Sequence, residues 1–415
     1  MSAAACAATG SDSSTHGPIF GDDAGDGAAT LDGGVHADGA TGDAGVGDGS
    51  ASDASSDVAN ETSSLGDASV DSGADASGCA STMALLAGGA NALVGASFAN
   101  GQWSSASALS GGTAGGPVAI VPFGTGYAAV GAKSGVTPSL QSTTFTTSWS
   151  APVAIGAAVG KDVLSLAAIG TTLHLVYQSS DSKFYHGTLT GSAWDGATDP
   201  VGGSGASQQF GPSGATAATA GGKLVFAQSG SNDFVYDSTL DVTWQSPHQQ
   251  TGTSVQNTIA PTLVALAGGA ADLLIVYARK TDFHLMWSAR TGTAWSVPAE
   301  VYNVAGNVAY SNDPVSIAPR AGGKAVLAFR GGNLAPYATL FDGATWSAPA
   351  AMLTGSPALD AAPTIAPGVC GDDAVAAYSA GGAVSIVRLT GTTWSTPMAI
   401  SGATAMKYAA IATRP

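Results

Sequence analysis

Paired carboxylates, clustered histidines and converging arginines are the sets from which enzymes build most sites, and this 415-residue chain supplies few of them. Glycoside hydrolysis usually takes two carboxylates flanking the scissile bond. After residue 78 the chain has one glutamate, Glu300, and 14 aspartates, most of them in turns. His174, His186, His248 and His284 show no metal-ligand spacing. Neither a metal nor another cofactor is therefore expected. No Gly-x-Ser-x-Gly nucleophile elbow occurs. Gly156-Ala157-Ala158-Val159-Gly160-Lys161-Asp162 is one residue short of a phosphate loop and lacks its Ser or Thr. Binding without catalysis is the expectation.

Sugar binding needs a flat apolar ring to stack on and polar groups to fix hydroxyls. His186, Tyr236 and Trp287 each stand eight residues before a tryptophan, Trp194, Trp244 and Trp295 respectively. Polar side chains gather in the turns nearby: Asp181, Lys183, Asn232, Asp233, Arg279, Lys280 and Asp282. Trp287, Tyr236 and His186 are thus candidate stacking platforms, with Arg279 and Asp233 as hydroxyl partners. The plainer reading makes the three rings interior filling beside solvated turns.

The elements that position these residues follow from a repeat. Trp103, Trp149, Trp194, Trp244, Trp295, Trp346 and Trp394 are separated by 46, 45, 50, 51, 51 and 48 residues. A period in this range marks a propeller or solenoid. Gly191, Gly292, Gly343 and Gly391 lie three residues before their Trp, and Pro152, Pro247, Pro298, Pro349 and Pro397 three after. Ser104, Ser150, Ser296, Ser347 and Ser395 follow theirs directly. Within each unit, short apolar runs alternate with Gly-rich turns, as in Ala325–Phe329 and Tyr337–Phe341, the pattern of antiparallel strands. Inter-blade packing is the expected role of the repeated Trp, which buries a large area.

Before Trp103 the chain has only two long strands, Met83–Leu86 and Asn91–Phe98, and after Trp394 one strand is left over, Lys407–Thr413. The C-terminal strand should complete the N-terminal blade and close the ring, leaving no free sheet edge. The fold class expected is all-β, a seven-bladed propeller over 79–415. Its blades fall at about 407–415 with 80–110, then 115–157, 162–203, 208–252, 256–304, 311–354 and 360–402. Cys79 and Cys370 each lie 24 residues before their own Trp, on blades that closure makes neighbours. They read either as a disulfide, which implies an oxidising compartment, or as two separate thiols.

Residues 1–78 are different. They hold 13 Asp, one Glu, no Lys or Arg and one aromatic, Phe20, so most of the net charge of −16 sits there. Such a segment cannot bury enough apolar surface to offset its ordering entropy, and reads as a disordered acidic tether. Its Asp spacing misses the calcium-loop alternation, with Ala24 after Asp22 and Asp23. Cys6 after Ala3-Ala4-Ala5 resembles the end of a bacterial lipoprotein signal, although Ala3 stands where Leu is usual. Cys6 is either an acylated anchor or a lone thiol in a tail. Only 13 Lys and Arg occur, which argues against nucleic-acid partners. No apolar run of 18 or more residues occurs.

The Gly-x-x-Trp-Ser-x-Pro segments resemble repeats of sialidase-like and lectin propellers. Ser288-Ala289-Arg290-Thr291-Gly292-Thr293-Ala294-Trp295 keeps a sialidase Asp-box frame but has Arg290 where Asp belongs. The rhythm over about 80–415, exemplified by Gly222–Tyr236, is closer to seven-bladed bacterial fucose-binding-type lectins. That resemblance implies a lectin-like propeller fold. With the Cys6 and site readings above, the expectation is an exported monomer that binds carbohydrate or another extracellular ligand without chemistry and touches membrane only through Cys6. Two other readings stand beside it. One is a surface scaffold for an extracellular protein. The other is a degenerate sialidase-like hydrolase, for which Arg279, Arg330 and Arg388 would have to converge on one pocket.

Overall fold

The computed structural model describes residues 81–89, 92–113, 116–133, 139–156, 164–179, 183–191, 193–195, 199–201, 210–250, 252, 254–304 and 307–414. Its strands assemble into seven antiparallel sheets of four or five strands, plus a small hairpin of Asn303–Val304 with Asn307–Val308. Among the described residues there is no helix. The tether and Cys6 lie outside the described residues.

The strands follow from their composition. Leu273–Ala278, the second strand of its blade, is buried along its whole length. A strand covered on both faces reads as a continuous apolar run. Glycine makes the tight reversals between such runs. Ala220 and Lys223 are joined through Gly221 and Gly222, both at positive φ (58° and 76°), as a two-residue hairpin with matching twist requires.

Blade 1 draws on both ends of the propeller. Tyr408–Arg414 pairs antiparallel with Thr82–Gly89, placing Met83 opposite Thr413, Leu85 opposite Ile411 and Leu86 opposite Ala410. The ring closes as the surplus strand required. Blades 2 to 7 follow in order, with inner strands Val118–Phe123, Leu164–Ile169, Phe210–Ala220, Thr262–Ala265, Ser316–Arg320 and Thr364–Pro367. Hydroxyls tie successive inner strands together, a device the sequence reading did not anticipate. Thr216 Oγ1 donates to Pro261 O at 3.1 Å, Thr262 Oγ1 to Val315 O at 2.7 Å and Thr364 Oγ1 to Ala409 O at 3.0 Å. Ser316 Oγ accepts the Ile365 N–H at 3.0 Å.

Seven apolar clusters fill the junctions between neighbouring blades. Between blades 4 and 5, Val235 packs with Leu273, Ile275, Tyr277 and Met286. Each large side chain buried this way contributes about 1.5–3 kcal/mol. The repeated Trp spans the same junctions and meets the preceding blade at one level of its third strand. A Cβ on Gly95 would stand 2.2 Å from Trp149 Nε1, so that level admits only glycine in blade 1. Trp194 donates Nε1–H to Ser142 Oγ at 3.0 Å. Trp244 lies edge-on to His186 at 5.4 Å, and Trp346 edge-on to Trp287 at 6.3 Å. The Ser after each Trp has a local task. Ser150, Ser296, Ser347 and Ser395 accept the N–H of Thr144, Ala289, Leu340 and Arg388 at 3.0–3.1 Å, where the third strand loses its outer partner.

Candidate functional site

Among the described residues, a group of charges lies between blades 4 and 5, mostly on the turns that join second to third strands. In blade 4 the turn after Gly230 puts Asp233 at φ 65°, a left-handed conformation that Asp tolerates. Its carboxylate accepts from Asn257 Nδ2 at 2.8 Å and from Lys280 Nζ of blade 5 at 2.5 Å. Next to Lys280, the Arg279 guanidinium donates to Asp282 through Nη2 at 2.6 Å and Nε at 2.9 Å, and its Nη1 reaches Glu300 Oε1 at 2.7 Å. Arg279 and Glu300 are each about one-fifth exposed.

Charge complementarity tunes this cluster. The hydrogen bonds from Arg279 hold the Asp282 carboxyl below the usual carboxylate range, and those to Asp282 raise Arg279 in turn. Arg279 Nη2 lies 3.0 Å from His284 Nδ1. A guanidinium can only donate, so Nδ1 accepts and the ring proton sits on Nε2. Glu300 reaches the cluster because its outer strand pairs Glu300 with Met286. Its second oxygen, Oε2, is buried with no hydrogen-bond partner and stands 3.7 Å from His284 Nδ1.

The sequence-expected residues separate over three junctions. Asp233 and Arg279 come together in the blade 4–blade 5 groove. His186 corrects its expectation: it is 4% exposed, edge to edge with His174 with ring centroids 5.2 Å apart, and met edge-on by Trp244. His174 Nδ1 and His186 Nε2 are hydrogen-bonded at 2.9 Å, and burial lowers the His174 pKa against the opposing pull of Asp195. His186 has no ring face left for a ligand. Trp287 is half-buried toward blade 6, edge-on to Phe341 at 5.2 Å and to Trp346.

Tyr236 needs a second correction. Leu240 bridges Trp244 four residues on, whereas Leu189, Arg290 and Phe341 bridge their tryptophans five residues on. The blade 4 turn is one residue shorter, so counting back eight from Trp244 overshoots by one. The residue level with His186 and Trp287 is Asp237, which pairs with His248 as His186 pairs with Asp199 and Trp287 with Ala299. Adjacent strand residues face opposite sides. With Val235 packed toward blade 5, Tyr236 faces blade 3, where its hydroxyl accepts from Asn232 at 2.7 Å and donates to Gln249 at 2.9 Å.

The residues the sequence reading undervalued are Glu300, His284 and Asn257. Glu300 had one signal, as the sole glutamate beyond residue 78. Arg279, Arg330 and Arg388 do not converge. Arg330 pairs with Asp313 at 2.5 Å, and Arg388 lies over the Phe98 ring at 4.9 Å. Among the described residues no three His, Cys, Asp or Glu side chains are grouped to hold a metal. Cys370 is disulfide-bonded. Cys79, its expected partner, lies outside the described residues.

No protein-family model and no curated protein matches the chain. Solved structures do. A lectin from Burkholderia pseudomallei is 13% identical with a TM-score of 0.62, over 78% of this chain and 96% of that one. A fucose-specific lectin from Aleuria aurantia is 14% identical with a TM-score of 0.49, over 69% of this chain and 96% of that one. The first likeness is one of fold, a β-propeller built over nearly the whole of the matched chain.

Proposed function

We propose that the groove between blades 4 and 5 binds carbohydrate without chemistry, and that the protein is a lectin. The observation that carries this is the ion pair of Arg279 with Glu300, each about one-fifth exposed, beside the Lys280–Asp233 pair. A sugar hydroxyl donates to the accessible part of such a carboxylate while a neighbouring hydroxyl accepts from the guanidinium, and Asp233 and Lys280 extend the polar rim. The Burkholderia pseudomallei lectin, which shares the fold, supports the same reading. A glycan array probed with the full chain is expected to give a saturable signal that Glu300→Gln reduces at least tenfold. No signal on any glycan, or equal binding by Glu300→Gln, would remove the proposal.

Export belongs to the same reading. The disulfide at Cys370 favours an oxidising compartment, and an acidic tether ending in an acylated Cys6 would display the propeller at the cell surface. Mass spectrometry of the native N-terminus is expected to find Cys6 lipidated. An unmodified Cys6 on the mature protein would contradict the anchor.

A further inference from the structure

Six of the seven blades fill one position at the outer strand with a buried apolar side chain. Leu109, Ile155, Val201, Val301, Met352 and Ile400 each donate their backbone N–H to a residue at the start of the third strand, and each is 6% exposed or less. Blade 4 keeps the backbone bond, from Gln250 N–H to Val235 O at 2.9 Å, but places an amide there. Gln250 is equally buried, and neither its Oε1 nor its Nε2 has a hydrogen-bond partner among the described residues. A buried amide with both groups unmade costs stability that the apolar residues of the other blades do not. A chain departs from its own repeat at such a cost mainly at functional positions. Gln250 also stands at the groove between blades 4 and 5. It lies opposite Val235, which packs toward blade 5, and paired strand residues share a face of the sheet. The face of blade 5 turned toward it is the one that carries Glu300, because Glu300 pairs with Met286 and Met286 packs with Val235.

We propose that Gln250 is a specificity-determining residue of this groove, turning outward to a bound sugar so that Oε1 accepts from one hydroxyl and Nε2 donates to its neighbour. This role rests on the groove being a carbohydrate site. The turn breaks no side-chain hydrogen bond, and the preceding residues His248 and Gln249 are already exposed. A primary amide presents an acceptor and a donor side by side. A pair of adjacent hydroxyls answers both. A carboxylate cannot donate to Oε1 and an ammonium cannot accept from Nε2, so the ligand group selected here is a neutral vicinal diol.

The test is a glycan array carrying terminal hexoses beside their monodeoxy counterparts, probed with the full chain, with Gln250→Leu and with Glu300→Gln. Removing either hydroxyl of one adjacent pair is expected to lower the wild-type signal at least tenfold. Gln250→Leu should bind the parent sugar at least tenfold more weakly and no longer separate it from those two deoxy sugars. Leucine is the side chain that blade 1 uses at this position, so the variant should unfold at a denaturant midpoint no lower than that of the wild type. If Gln250→Leu binds as the wild type does while Glu300→Gln loses signal, the role of Gln250 is overturned and the groove stands; this is the result if the amide holds only a buried water. A lowered midpoint for Gln250→Leu would make the amide a structural part of the junction and would overturn the role as well. No signal from any of the three proteins would remove the groove and the role of Gln250 together.

Discussion

Between blades 3 and 4 the level that receives the next tryptophan carries His186, shut in by His174 and Trp244. One junction further on, the same level carries Asp237, 3.1 Å from an exposed His248, and the rim above it holds Asp233, Lys280, Arg279 and Glu300. The backbone template is shared. What differs is exposure and charge. In the first junction the rings are buried and offer no face to a ligand, although Trp244 Nε1 lacks a partner there among the described residues. In the second, charges meet in pairs on a partly exposed rim. Packing at the indole level holds the ring together, and the turns at its rim are free to carry recognition.

The comparison breaks first if the indoles do not carry the stability. Trp244→Ala should cost about 3–5 kcal/mol in denaturant unfolding, as large aromatic truncations do. A loss below about 1 kcal/mol would deny that these junctions are the structural ones. At the equivalent level of blade 1, Gly95→Ala should cost about 1–3 kcal/mol, because the added methyl meets the Trp149 ring. A neutral substitution there would mean that Trp149 can shift freely.

A change of pH sharpens the contrast. Burial lowers the His174 pKa in the folded state from its ordinary 6.5. The unfolded chain therefore takes up this proton at higher pH than the folded one, and stability falls with decreasing pH. The contribution is fully present above 6.5 and is lost as pH drops through the folded value. Unfolding midpoints at about pH 7.5 and pH 5.5 should differ, and His174→Gln should flatten the difference. A wild-type midpoint that rises on acidification would contradict this. The smallest effect belongs to the groove. Glu300→Gln should change stability by about 0.5 kcal/mol or less, in keeping with partly exposed ion pairs, measured by the same unfolding. A cost above about 2 kcal/mol would make Glu300 a structural residue.

The blades were legible because the Trp spacing is long-range and survives small changes in turn length. The surplus strand at Tyr408 was legible because a ring must leave each blade complete. The groove was not, and blade 4 shows why. One residue fewer between Asp237 and Trp244 moves the count to Tyr236, and in a strand that single step reverses the face. His186 misled for another reason. A planar polar ring looks alike from sequence whether it meets a sugar or a neighbouring indole, and only the junction decides. Glu300 depends on a two-residue outer strand, Ala299–Glu300, whose pairing with Met286 no sequence period specifies.

The most direct test is a crystal structure of the full chain soaked with the glycan that gives the strongest array signal. Sugar density in the blade 4–blade 5 groove, with hydroxyls on Glu300 and Arg279, is the expected result. An empty groove with the same glycan bound at another junction would contradict it.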